Sequence, residues 1–242
     1  MNRLDSPQPE IGIVPALDLD SIEDLRKVVG ETSNVEGIVE YKLGLQAILH
    51  IGLFKAVEVV RELTDLPIIY DHQKAGADMP DSAAGFVKIC AQTDIDGLIL
   101  FPVAGPTAVN EFVGNTLAAG LQPVVGGHIP VADYDINGGG YIDNDALERI
   151  MVKANENGAS RFVLPANDPS RIKRLSEWLL REVSRPALYL TGIGPLGGTI
   201  TESFKASKGM PVRRAVIGRR ICNAAEPALA ATQFYQEMLD AD

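Results

Sequence analysis

Eight short apolar or β-branched runs recur along the chain, at residues 11–16, 37–42, 67–71, 97–101, 122–126, 161–165, 187–191 and 215–218. Between them lie amphipathic stretches of helical period, such as 21–29, 52–63, 79–92, 144–157, 169–182 and 226–239. No other feature limits the fold as tightly. Strands that arrive singly, each followed by a helix, pair in parallel through crossover connections. Eight such units in 242 residues predict a closed (β/α)8 barrel rather than an open doubly wound sheet. The punctuation agrees: Ser21 precedes Glu23 and Asp24 in a first helical turn, and Asp168-Pro169 places a capping carboxylate before a proline. Gly158 after Asn157 marks a helix end. One domain spanning 1–242 is expected, with 1–10 a polar N-terminal extension and Gly138-Gly139-Gly140 a mobile surface loop.

Composition excludes several function classes. Twenty-two Lys and Arg against 32 Asp and Glu leave a net charge of −10. A nucleic-acid partner is therefore disfavoured, since the densest basic groups are only Arg213-Arg214 and Arg219-Arg220. Cys90 and Cys222 stand too far apart for a local metal motif, and two cysteines argue against a disulfide framework. The first ten residues hold no apolar secretory core, and no apolar run is long enough for a bilayer. The expectation is a soluble cytoplasmic protein with reduced thiols and no membrane partner.

In a barrel of this kind the active site gathers at the carboxyl ends of the strands. Those ends read Ala16-Leu17-Asp18, Tyr41-Lys42-Leu43-Gly44, Asp71-His72-Gln73-Lys74 with Asp78 beyond, Gly127-His128, Gly192-Ile193-Gly194 and Gly218-Arg219-Arg220. Lysines and aspartates so placed are costly to bury alone, so they are expected to pair. For a single residue a structural ion pair explains as much as chemistry does; for the set on one face a site explains more. The glycines of the 192–198 loop, followed by Arg219 after the eighth strand, suit a phosphate, because free backbone N–H groups could converge there beside a fixed cation. The remaining candidates have blander readings. His50 reads as a surface or packing residue, His72 as part of the barrel–helix layer, and Trp178 with Leu179 and Leu180 as helix core. Arg220 reads as solvated or ion-paired, and His128 is open between wall and ligand.

Together these residues resemble the orotidine 5′-phosphate decarboxylase family, over most of the chain from Ala16-Leu17-Asp18 to Gly218-Arg219 and the following Asn223-Ala224-Ala225-Glu226-Pro227. The resemblance implies a (β/α)8 homodimer with shared active sites. Such an enzyme converts orotidine monophosphate to uridine monophosphate and CO2 without metal or cofactor. It also implies that Lys42, Asp71, Lys74 and Asp78 form the family's alternating catalytic array, Asp78 serving across the subunit boundary. Asp18 would bind ribose, Ser82 would supply the hydroxyl after the array, and Gly194, Gly218 and Arg219 would bind phosphate. Two residues separate Asp71 from Lys74 and three separate Lys74 from Asp78, one more each time than in the family's usual motif. Residues three apart do not share a strand face, so the chain must leave the strand or bulge after Asp71. Leu196 stands where the family carries a glutamine, and Gly127 or His128 near the place of its base-recognising serine. Two alternatives remain: a sugar-phosphate decarboxylase or aldolase of the same superfamily, which Lys42 disfavours by crowding a cation site, or a non-catalytic phosphate-binding barrel.

Overall fold

A computed structural model describes residues 2–7, 9–72 and 79–242. Within them β1 (Ile11–Leu17), β2 (Tyr41–Leu43), β3 (Ile68–Asp71), β4 (Gly97–Leu100), β5 (Gln122–Val125), β6 (Arg161–Pro165), β7 (Ala187–Thr191) and β8 (Val212–Ile217) pair in parallel in chain order. β8 returns to β1, Ile13 opposite Ala215, and closes the barrel. The outer layer comprises α1 (Ile22–Thr32), α2 (Leu45–Ile51), α3 (Leu53–Arg61), α4 (Ala83–Cys90), α5 (Pro106–Ala118), α6 (Ala146–Glu156), α7 (Pro169–Glu182), α8 (Ile200–Ala206), the single turn α9 (Arg219–Cys222) and α10 (Pro227–Ala241). This is the expected (β/α)8 barrel.

The strands read as continuous apolar runs because both faces are covered. Val14, Ile69, Ile99, Val124, Val163 and Val216 fill the interior, while Ile13, Leu17, Tyr70, Leu98 and Leu190 belong to the layer packed against the helices. Two caps behave as expected: Ser21 Oγ accepts from the Asp24 N–H, and Asp168 Oδ1 accepts from that of Arg171.

Several boundaries differ. Residues 37–42 form a strand only from Tyr41; Ile38 makes an isolated bridge to Ile13, so the chain approaches β1 before it meets β3. The stretch 79–92 divides into a 3₁₀ turn, Pro80–Ser82, and the shorter α4. α5 and α8 lie outside the amphipathic stretches of helical period; α5 owes its start to Pro106 after Gly105, but its apolar residues are spread too evenly to signal one face. Leu180 is exposed rather than core, whereas Leu179 is buried. The glycine-rich 138–140 segment is tied into a turn, with the N–H groups of Gly138 and Gly140 both donating to the Asp135 carbonyl.

The polar start does more than extend the chain. Asn2 caps a 3₁₀ turn, Arg3–Asp5, and its amide donates to the carbonyls of Asp96 and Gly120, just before β4 and β5. Leu4 is thereby inserted among the interior valines and isoleucines, 1% exposed, and Arg161 donates to its carbonyl. The amino end of the barrel is plugged. The Arg213-Arg214 pair, the densest basic group by sequence, is also inside: Arg214 Nε donates to Glu40 at 2.8 Å, and Tyr189 donates to the other Glu40 oxygen at 2.8 Å. All three side chains are fully buried. No helix among the described residues is long and apolar enough to cross a membrane.

Candidate active site

The opposite, carboxyl end of the barrel opens into a cavity of about 1020 Å³ that reaches from β1, β2 and β3 across to the loops after β5, β7 and β8. Its charged floor is laid by strand register. Ala16 pairs with Lys42, and Lys42 with Ile69, so Asp18, Lys42 and Asp71 leave three adjacent strands at nearly one level. Lys42 Nζ donates to Asp71 Oδ2 at 2.7 Å and to Asp18 Oδ2 at 3.4 Å. Lys42 and Asp71 are buried, while Asp18 remains partly open to the cavity. Burial opposes charge on Lys42, but the two carboxylates outweigh it and hold the ammonium above its ordinary range. Gly44 makes this possible, because a Cβ there would occupy the space taken by the Asp18 carboxylate. The Lys-x-Gly spacing thus reflects a close approach, not only a turn.

The wall opposite comes from the last loops. Gly218 and Arg219 line the cavity at the end of β8, and so do Thr191 at the end of β7 and Gly192, Ile193 and Leu196 beyond it. The glycine loop itself differs from expectation. The N–H groups of Gly194, Gly197 and Gly198 donate to the carbonyls of Gly198, Gly194 and Gly192, so three candidate anion donors are spent on closing the loop. Gly194 has φ +94 and packs against the Arg220 stem; its role is conformational. Arg220 is exposed, as a solvated side chain would be, yet it also lines the cavity, its guanidinium 4.8 Å over the Phe234 ring. Arg219 and Arg220 are thus both cations of this wall.

Ser82 lies apart from the cavity lining. It is exposed in the 3₁₀ turn before α4, and its hydroxyl donates to the Met79 carbonyl at 2.7 Å, which the turn geometry dictates. Lys74 and Asp78, two of the four array residues, lie outside the described residues. His72 ends the described part of this segment in the barrel–helix layer, as read, its ring 4.1 Å from that of Phe86 and its Nδ1 3.0 Å from the Tyr70 hydroxyl.

Two further residues line the cavity. Cys222 follows Arg219 by three positions and points its thiol at the Ala16 carbonyl, 3.2 Å away; burial, then the Asp18 carboxylate, pushes it up to about 12. His128 lines the cavity after β5. Among the described residues no three His, Cys, Asp or Glu side chains come together as a metal site.

What the floor and wall offer chemically is an alternating carboxylate–ammonium–carboxylate row, fixed in charge and orientation, facing an arginine across a space of nucleotide size. No family model matches the chain. Among curated proteins it is similar to orotidine 5′-phosphate decarboxylases of Methanococcoides burtonii, with 26% identity covering 93% of this chain and 96% of that protein, and Pyrococcus furiosus, with 25% identity covering 93% and 97%. Among solved structures it is similar to orotidine 5′-monophosphate decarboxylase from Methanocaldococcus jannaschii complexed with the inhibitor BMP: TM-score 0.78, 18% identity, 96% of this chain and 99% of that one. The orotidine 5′-phosphate decarboxylase from Pyrococcus horikoshii gives a TM-score of 0.73 at 23% identity, covering 94% and 99%.

Proposed function

We infer that this chain, a member of the orotidine 5′-phosphate decarboxylase family, converts orotidine 5′-monophosphate to uridine 5′-monophosphate and CO2, a step of pyrimidine biosynthesis. The observation that carries the reading is the Asp18–Lys42–Asp71 row at the cavity floor, with Lys42 held charged between two carboxylates. The cavity and the near-complete coverage of the curated relatives agree with it.

The reaction breaks the bond between C6 and its carboxylate, leaving the electron pair in an in-plane orbital that the ring delocalises poorly. CO2 departs, and C6 must then receive a proton. A lysine ammonium at C6 serves twice, as a fixed cation beside the developing charge and as the proton donor. We assign that role to Lys74. Asp71 sits beside the leaving carboxylate, and their repulsion is relieved as CO2 departs. Lys42 holds Asp71 in place, and Asp78 completes the array from the partner of a homodimer. Asp18 takes the ribose hydroxyls. Arg219, with Gly194 and Gly218 shaping its surroundings, takes the phosphate, whose binding energy helps to assemble the site around the distant reacting carbon. The exposed apolar side chains Leu49, Phe54, Met79 and Ile89, on the helices and turn around β2 to β4, support a subunit contact on that side. The reaction is carried out in the cytoplasm, without metal or cofactor.

The test follows loss of the orotate absorbance and release of CO2, with and without a chelator. Turnover indifferent to the chelator, and abolished in Lys74→Ala while uridine monophosphate still binds, is the expected result. Nucleotide binding without turnover would make the barrel a silent binder. Turnover of sugar phosphates that a chelator stops would place the chain with the metal-dependent branch of its superfamily.

A further inference from the structure

Two tandem arginine pairs occur in the chain, and the fold treats them in opposite ways. Arg213 and Arg214 are buried and ion-paired, to Asp242 and Glu40. Arg219 and Arg220 are exposed and line the cavity. Among the described residues neither of these two guanidinium groups forms an ion pair or donates a hydrogen bond. The carboxylates at the rim across from them, Asp20 and Asp24, do not reach them; Asp24 instead accepts from the Ser21 hydroxyl at 2.7 Å.

Arg220 is held ready rather than left loose. A Cβ on Gly194 would lie 2.8 Å from its Cδ, so its stem runs over bare backbone, and its guanidinium rests on the buried Phe234 ring. A guanidinium supported through its face keeps its N–H edge for an anion. The N–H groups of Gly194, Gly197 and Gly198 are spent within their loop, so anion recognition at this end falls to the two arginines. One phosphate does not readily serve both. Arg219 and Arg220 are successive residues of one helical turn, and such side chains point about 100° apart. At about 1020 Å³ the cavity reaches the top of the range for small-molecule sites, and its lining continues from Arg219 to Arg220, Asn223 and Ala224.

We propose that the cavity also takes a pyrimidine nucleoside 5′-diphosphate, its first phosphoryl group on Arg219 and its second on Arg220, as an inhibitor that competes with the substrate. This rests on the functional reading above and extends it to regulation of the same site. A diphosphate is what one further phosphoryl transfer makes of the monophosphate product. Its occupancy would restrain the reaction when nucleotides derived from that product accumulate.

The experiment titrates uridine monophosphate and uridine diphosphate calorimetrically, without divalent cations, into the parent, Arg220→Ala, Arg220→Lys and Arg219→Ala. The parent should bind the diphosphate about tenfold more tightly than the monophosphate, the worth of one charge-assisted contact at an exposed site. Arg220→Ala should abolish that preference and leave monophosphate binding unchanged. Arg220→Lys, which keeps the charge but not the stacked fork, should retain part of it. Arg219→Ala should weaken both nucleotides and preserve their ratio. A diphosphate bound no more tightly than the monophosphate by the parent would overturn the proposal. Equal weakening of both nucleotides in Arg220→Ala would also overturn it, by making Arg220 a second ligand of the 5′-phosphate. Binding needs no turnover, and turnover of orotidine monophosphate by the parent is read separately, so a failure of the functional reading would be seen on its own.

Discussion

Replacing Glu40 by leucine should cost this protein about 3–5 kcal/mol of stability while leaving its active site intact. Glu40, Arg214 and Tyr189 are fully buried in the lower barrel, and each Glu40 oxygen accepts one hydrogen bond of 2.8 Å. Removing the carboxylate strands a guanidinium and a phenol. Two hydrogen bonds to a charged acceptor, at about 1.5–3 kcal/mol each, give a loss of the same size as the cost of an unpaired buried charge. The Arg214 bonds to the carbonyls of Pro9 and Arg213 survive, so the upper end of that sum is not reached. In a chain of this length the melting point should fall by about 6–20 °C. Urea unfolding of Glu40→Leu, Arg214→Leu and the double variant forms the assay, with kcat/KM measured on the folded protein. Neither residue lines the cavity, so kcat/KM should hold. The double variant should be more stable than Glu40→Leu alone, because the unpaired charge has gone with its partner. A single variant within about 1 kcal/mol of the parent, or a double variant no better than the single, would refute the account.

Arg219→Ala should raise KM for the nucleotide about 10- to 100-fold, the worth of charge-assisted hydrogen bonds to phosphate; unchanged steady-state kinetics would move the phosphate elsewhere. Leu4→Ala should lower stability by about 2–5 kcal/mol in chemical denaturation, since the side chain fills the barrel's amino end, and a neutral result would mean that the plug carries no packing energy. The thiols of Cys90 and Cys222 are both pushed up to about 12, chiefly by burial. The fold therefore favours the neutral thiol: that contribution is whole below pH 9, the ordinary value, and is lost as the pH rises from there toward 12. Thiolate reagents should label both cysteines slowly at pH 8 in the native protein and quickly in urea. Cys→Ala variants should lose less stability between pH 8 and 10.5 than the parent does, and superimposable alkaline profiles would contradict this.

The alternation of single strands with helices was legible because burial on both faces leaves an uninterrupted apolar run, and a crossover fixes the order of pairing. The Asp18, Lys42 and Asp71 positions were legible for the same reason: charge at the end of such a run has nowhere to lie but the barrel mouth. Helix ends marked by Ser21 and Asp168 were local signals, and local signals survive folding. What the chain alone did not disclose depends on neighbours distant in sequence. Arg214 looks like half of a basic surface pair, and only closure of β8 onto β7, with Glu40 arriving 174 residues away, turns it inward. The glycines after β7 look like donors for an anion, yet the loop uses their N–H groups to hold itself. Leu4 looks like part of a polar tail until the barrel offers it an open end. Strand order and the charged row were decided by pattern, whereas which polar groups were left for a ligand was decided by tertiary pairing, because a hydrogen bond belongs to whichever partner the completed fold brings within reach.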